Sequence, residues 1–237
     1  MATDDETRDP MRAFSHAGLL EAARQSVPLA VSVGAYGLVF GVLARQAGLS
    51  LAEAALMSGT VYAGTAQFVV LGLWVHPLPV ATIALTALAV NLRFLLMGAS
   101  LRPWLARLSP LRAYGSAFFL GDESWALTTR AFAAGTRNEA FLLGSGLTIS
   151  LTWLGATIAG HILGRLLRDP AQWGLDFAST AMFAALLVGL RKGTADVLPW
   201  AVAAAVAVVV AHVVPGTWYI PAGGVAGSVM GAMRHAR

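Results

Sequence analysis

Asp122 and Glu123 are adjacent carboxylates in a stretch, 113–129, that carries no other charge. Inside an apolar helix such a pair repels itself, which suits it to sharing one proton or to partnering a buried cation. Arg93 is the matching cation, the sole charge between Ala54 and Leu101. An arginine in a long apolar run points inward, to a carboxylate or a hydrated cavity, or else snorkels to the interface, which lies only about two turns on at Leu101. Asn91 lies two residues earlier and diverges from Arg93 by roughly 200° on a helix, so both line one site only where the helix breaks.

Residues 56–68, LMSGTVYAGTAQF, are dense in small and hydroxyl side chains. On one continuous helix Ser58 and Tyr62 share a face, while Thr60, Gly64 and Gln67 share another. Such a segment packs tightly against other helices, or opens to present backbone groups to a small polar ligand. Gln67 favours the second reading, because an amide deep in hydrocarbon needs a partner. Ser58, Thr60, Tyr62, Gly64, Gln67 and Asn91 are therefore the candidate substrate contacts, and Arg93, Asp122 and Glu123 the candidate charge network.

Other constellations carry less. Ser145 and His161 invite comparison with a serine–histidine dyad, but on one helix their spacing is roughly 24 Å. Gly34, Gly37 and Gly41 form a smooth stripe, suited to helix packing or to seating a partner helix. His212 reads as an interfacial cap, and Trp200, Trp218 and Tyr219 as interface anchors. The chain shows no metal cluster, phosphate loop or nucleotide fingerprint, so neither a cofactor nor an enzymatic activity is expected.

The elements that position these residues follow from composition. The 237 residues are 57% hydrophobic and 12% charged, with mean hydropathy +0.68 and no cysteine. No charge occurs between Val197 and Met233. Uncharged runs of this length read as membrane spans and exclude a soluble enzyme, a disordered chain and a disulfide scaffold. The basic balance, a formal charge of +4, suits lipid headgroups better than nucleic acid. Residues 1–11 are polar and acidic, the reverse of a signal sequence, and read as a disordered tail. Residues 12–237 read as one transmembrane domain.

Residues 12–26 resemble a helix lying in the interface. Spans are expected near Gln25–Ala44 (opened by Pro28), Glu53–Val75, Leu78–Leu101, Ala113–Ala131, Ala140–Gly164, Asp176–Leu190, Val197–Val214 and Thr217–Met233. At about 20 residues each, about seven or eight transmembrane helices fit, with room for broken or re-entrant segments. The fold class is all-α, because backbone in lipid must bond to itself and no alternating barrel pattern appears. The Lys/Arg tally leans to a cytoplasmic N-terminus.

Taken together, GAYGLVFG at 34–41, Gly48-Leu49-Ser50, MSGTVYAGTAQF at 57–68, NLRFLLMGASL at 91–101 and Asp122-Glu123 closely resemble the AzlC family of branched-chain amino acid permeases. The resemblance covers nearly all of 14–233. It implies the large subunit of a two-part exporter, with a small AzlD-type membrane partner and branched-chain amino acids as substrates. It also implies a multi-pass protein of a prokaryotic cytoplasmic membrane. A gradient would drive export, since no ATP site is present. The alternatives are a non-transporting assembly subunit, whose polar residues only hold helices together, and a passive small-solute channel.

Overall fold

A computed structural model describes residues 14–136, 138, 140–166, 184, 193–215 and 218–235. The 1–11 tail lies outside the described residues, as does the expected span Asp176–Leu190 but for Ala184. The described chain is helical and contains no strand. Three helical stretches are long and apolar enough to cross a membrane: His16–Gln46, Val80–Leu105 and Phe141–Leu163. Seven or eight crossings are not reached among the described residues.

Helix α1, His16–Gln46, is opened by Ser15, whose hydroxyl accepts from the Gly18 N–H at 3.2 Å. It corrects the expected separate surface helix. Nothing between His16 and Val27 breaks a helix, so the surface stretch and the first span are one element, with Pro28 well inside it. At 31 residues α1 is about 46 Å long, more than the ~30 Å hydrocarbon layer, which leaves room for Glu21 and Arg24 beyond it. Gly48 then turns the chain at φ +87°, and the Leu49 N–H returns to the Ala44 carbonyl. Helix α2, Leu51–Thr60, is fixed by a reciprocal Ser50–Glu53 cap.

The expected continuous span Glu53–Val75 is interrupted. Residues 61–63 leave helical geometry, with Val61 at φ −104°, ψ 82°, and helix α3 resumes over Gly64–Gly72. Helices α4, Val80–Asn91, and α5, Arg93–Leu105, flank Leu92, which keeps helical dihedrals. The expected span Ala113–Ala131 is also broken, into α6, Pro110–Phe118, and α7, Asp122–Ala133. Helix α8, Phe141–Leu163, matches the expected fifth span. Helices α9, Val197–Val213, and α10, Tyr219–His235, match the last two.

The chain divides into two compact units, 1–64 with 92–168, and 65–91 with 169–237. In the second, α9 and α10 pack antiparallel through small residues, Gly223 against Ala203 and Ala207, and Gly227 against Ala203 and Pro199. In the first, α1 and α8 run parallel. Asn138, ahead of α8, donates to Ser15 at 2.7 Å. Gly144 then packs on Leu19 and Ala22, Gly34 on Thr152, Gly37 on Ala156, Gly41 on Thr157 and His161, and Gly164 on Arg45. The Gly34/Gly37/Gly41 stripe is thus filled by α8. Its reading as a seat for a partner helix is corrected, because a β-carbon at Gly41 would run into the α8 backbone.

Two parallel spans require an odd number of crossings between them, and Val80–Leu105 is the described stretch there suited to cross. Segment 110–133 does not cross. Near its start the Arg112 guanidinium lies 4.9 Å from the centre of the Phe14 ring, just ahead of α1. Near its end Ala131 clusters with Ala22 of α1 and Phe141 of α8. Both ends therefore sit where α1 and α8 begin. Helices of 9 and 12 residues are about 14 and 18 Å long, each roughly half a bilayer. The expected fourth span is instead two short helices that turn at 119–121, where Gly121 is extended, and return to the end where α1 and α8 begin.

This topology predicts a labelling pattern. The chain has no cysteine, so single-cysteine variants carry no background. S109C, before α6, and A134C, after α7, should react with a membrane-impermeant maleimide from one face, and Q46C, at the end of α1, from the other. Reaction of S109C and A134C from opposite faces would make 110–133 a crossing.

Candidate functional site

In the first unit two helix breaks meet on α8, approached from opposite ends. Helix α2 enters where α8 ends. The Leu49 carbonyl accepts from His161 Nε2 at 2.8 Å, and Ser58 and Thr157 share a hydroxyl–hydroxyl bond of 3.1 Å. The chain then leaves the helix, and Gly64 rests against the Trp153 indole. From the other end, α6 brings Phe119 against Gly146 of α8. Tyr62 joins the two breaks. Its ring meets Phe119 edge-on at 6.4 Å, and its hydroxyl donates a long bond, 3.5 Å, to the Gly146 carbonyl.

Glycine is required at Gly146 and fits closely at Gly121. A β-carbon on Gly121 would lie 3.2 Å from the Tyr62 ring, and one on Gly146 would collide with the Phe119 backbone. Irregular backbone at membrane depth persists only where protein covers it or where it lines a cavity. Ser124 holds the second break, accepting from the Gly121 N–H at 2.8 Å and donating to the Phe119 carbonyl at 3.1 Å.

The acidic pair therefore does not sit in mid-helix as a single span would have it. Asp122 and Glu123 form the first turn of α7, where the positive end of the helix dipole favours carboxylates. Asp122 Oδ2 receives Arg93 Nη2 at 2.9 Å. Glu123 has both Asp122 and Arg93 as electrostatic neighbours, and Tyr62 has Glu123 and Asp122. The ion pair is aligned by the surrounding packing. Trp125 donates to Ser100 at 2.8 Å, and Trp104 stacks on Phe132 at 4.7 Å, so α5 and α7 run side by side in one direction. The Arg93 and Asp122 side chains keep 29% and 40% of their surface open. Lipid does not solvate such groups.

The sequence-derived candidates are distributed unevenly. Tyr62, Arg93, Asp122 and Glu123 come together. Gly64 lies on the same break. The Ser58 hydroxyl is buried and engaged by Thr157, and Thr60 is exposed and bonds back to the Leu56 carbonyl at 2.7 Å. Because the helix opens at 61–63, the shared faces expected of a continuous helix do not form. Gln67 and Asn91 belong to the second unit. Gln67 is buried there, and Asn91 Oδ1 is buried without a hydrogen-bond partner. Sequence reasoning missed Thr157, Phe119 and Gly146, and it weighed His161 for a different role. One signal was present: Gly146 and His161 are fifteen residues apart on an apolar helix that needs neither for its own stability.

The family described as AzlC protein matches residues 28–167. The chain belongs to the AzlC family. The matched stretch holds both helix breaks, the ion pair and α8. The inner membrane protein YgaZ of Escherichia coli is 29% identical over 189 residues, 77% of each chain. An uncharacterized membrane protein of Archaeoglobus fulgidus is 33% identical over 171 residues, 71% of this chain and 74% of its own. Another from Helicobacter pylori is 27% identical over 161 residues, 68% of this chain and 70% of its own. No solved structure matches the chain. As an AzlC protein with apolar spans it is a transporter-like membrane protein.

The ion pair yields a double-mutant test. Arg93→Ala leaves Asp122 as an uncompensated charge, so it should lower folded yield more than Arg93→Ala with Asp122→Asn. The coupling energy should be on the order of 1–3 kcal/mol. Additive effects on thermal stability in detergent would mean that the pair contributes nothing.

Proposed function

We propose that this AzlC protein is a secondary exporter of branched-chain amino acids across the cytoplasmic membrane of a prokaryote. In this reading it is no enzyme, works with a small AzlD-type membrane subunit and is driven by a proton gradient or the membrane potential. The observation that carries the proposal is the meeting of two helix breaks beside a charged triad, Arg93, Asp122 and Glu123. Half-helices that end within the membrane expose backbone groups and dipole ends, which is how secondary transporters hold charged substrates away from water.

The chemistry suits an amino acid. A zwitterion needs a negative group for its ammonium and N–H donors for its carboxylate. Glu123 supplies the first. A backbone N–H donor at Gly64, the open start of α3, supplies the second. Apolar side chains around Tyr62 and Phe119 receive a branched aliphatic group. Arg93 is taken up by Asp122, which leaves Glu123 as the group that exchanges its proton for the substrate's ammonium.

The partner enters through the family resemblance, and the exposed apolar faces of the second unit suit a neighbouring helix. On α9, Val208, Val209 and Val213 are each more than half exposed.

The experiment is reconstitution into proteoliposomes with and without the small subunit. Accumulation of leucine or isoleucine against its gradient should require both chains and an imposed proton gradient or potential. Uphill flux by this chain alone would remove the partner requirement. Downhill flux without coupling would make it a channel, and no flux at all an assembly subunit. Glu123→Gln should abolish the pH dependence of exchange and lower its rate at least tenfold, while a pH profile that survives the change would take the proton from Glu123.

A further inference from the structure

We infer that Tyr62 is the barrier between the two broken segments: its ring plugs the point where they meet, and its bulk sets which side chains pass. The inference rests on the transport reading above and assigns Tyr62 a role other than substrate ligand.

The placement carries the argument. Helix α2 descends from the end of α8 where His161 holds the Leu49 carbonyl, and it stops with Gly64 against Trp153. The α6–α7 hairpin rises from the end where α1 and α8 begin, and turns at Phe119 against Gly146. One segment stops against Trp153, midway along α8, and the other against Gly146, near its start, which leaves a short stretch of α8 between them. The side chain of Tyr62 occupies it, against Phe119, Gly121 and Gly146.

Two features mark a plug rather than a ligand. The contacts to Tyr62 are made mainly by its ring: an aromatic edge and the bare backbone of Gly121, cut to the ring's outline. The hydroxyl makes a single long bond, 3.5 Å, to the Gly146 carbonyl, which costs little to break. The ring is also carried on 61–63, outside any helix, so it swings aside through local dihedral changes without moving α8.

The rest of the first unit is built to keep this side chain aimed. The Ser58–Thr157 bond lies four residues before Tyr62, and His161 grips the cap of α2. Both grips are on one face of α8, four residues apart, so α2 is pinned at its entry and near its exit while the break that follows is free to turn.

The experiment compares wild type, Tyr62→Phe, Tyr62→Ala and Gly121→Ala, each purified to a monodisperse peak and reconstituted with the small subunit. Two readouts are taken: proton leak into vesicles holding a pH-sensitive dye, which needs no assumption about substrate, and efflux of leucine and of phenylalanine with no imposed gradient. Tyr62→Phe should match wild type in both. Tyr62→Ala should raise proton leak at least tenfold and admit phenylalanine. Gly121→Ala, which leaves Tyr62 in place and crowds its ring, should shift both readouts the same way by a smaller factor, and it decides the matter if Tyr62→Ala does not fold. A tight Tyr62→Ala vesicle would overturn the barrier, as would a Tyr62→Phe protein as impaired as Tyr62→Ala. Wild type that moves no amino acid while Tyr62→Ala leaks protons would overturn the substrate reading and leave the barrier standing.

Discussion

Direct backbone contact between α1 and α8 is the constraint on which the first unit depends. Lipid gives no hydrophobic reason for two apolar helices to associate, so close packing of small residues must hold them. Gly37 and Gly41 on one helix, and Gly144 and Gly160 on the other, remove the β-carbons that would keep the axes apart. Phe40 then stacks on Trp153 at 5.8 Å, filling the space beside the glycines. The result is a parallel pair with a shared start, since Asn138, which accepts from the Ala140 N–H just ahead of α8, also donates to Ser15, the cap of α1.

That pair gives the shorter elements a surface to end on. Helix α2 and the α6–α7 hairpin are each too short to cross alone, and each leaves unsatisfied backbone groups where it stops. Their ends are tolerable because α8 offers polar side chains, Thr157 and His161, and glycine surface at the right heights. The charged triad gathers at the first turn of α7, where a helix dipole and an arginine coincide.

The sequence was informative where a single physical cause dominates. Uncharged length located α8, α9 and α10 within a residue or two, and the cost of a lone charge in lipid paired Arg93 with the acidic residues before any geometry was known. For the breaks it left two readings open: the small and hydroxyl residues of 56–68 allowed either tight packing or an opened helix, without saying where it would open. Val61, Tyr62, Ala63, Phe119 and Leu120 are apolar residues with no proline among them, and in lipid the periodicity that marks a helix face fades because every face is apolar. Only Gly121 hints at a break. The direction in which 110–133 returns depends on contacts such as Arg112 with Phe14, nearly a hundred residues apart in sequence, which no local pattern encodes. Ser58 shows the same limit: its residue type suits a ligand, and its partner Thr157 lies 99 residues away.

The Ser15–Asn138 tie between the starts of α1 and α8 has a consequence for biosynthesis. Ser15 and Asn138 are 123 residues apart, so α1 leaves the ribosome long before the helix that covers its glycines. At about 5–20 residues per second, the wait is roughly 6–25 s. Throughout it, α1 sits in the membrane with a face made for close backbone contact and nothing to contact. A chain arranged this way reaches its tightest helix contact only after α8 has been made.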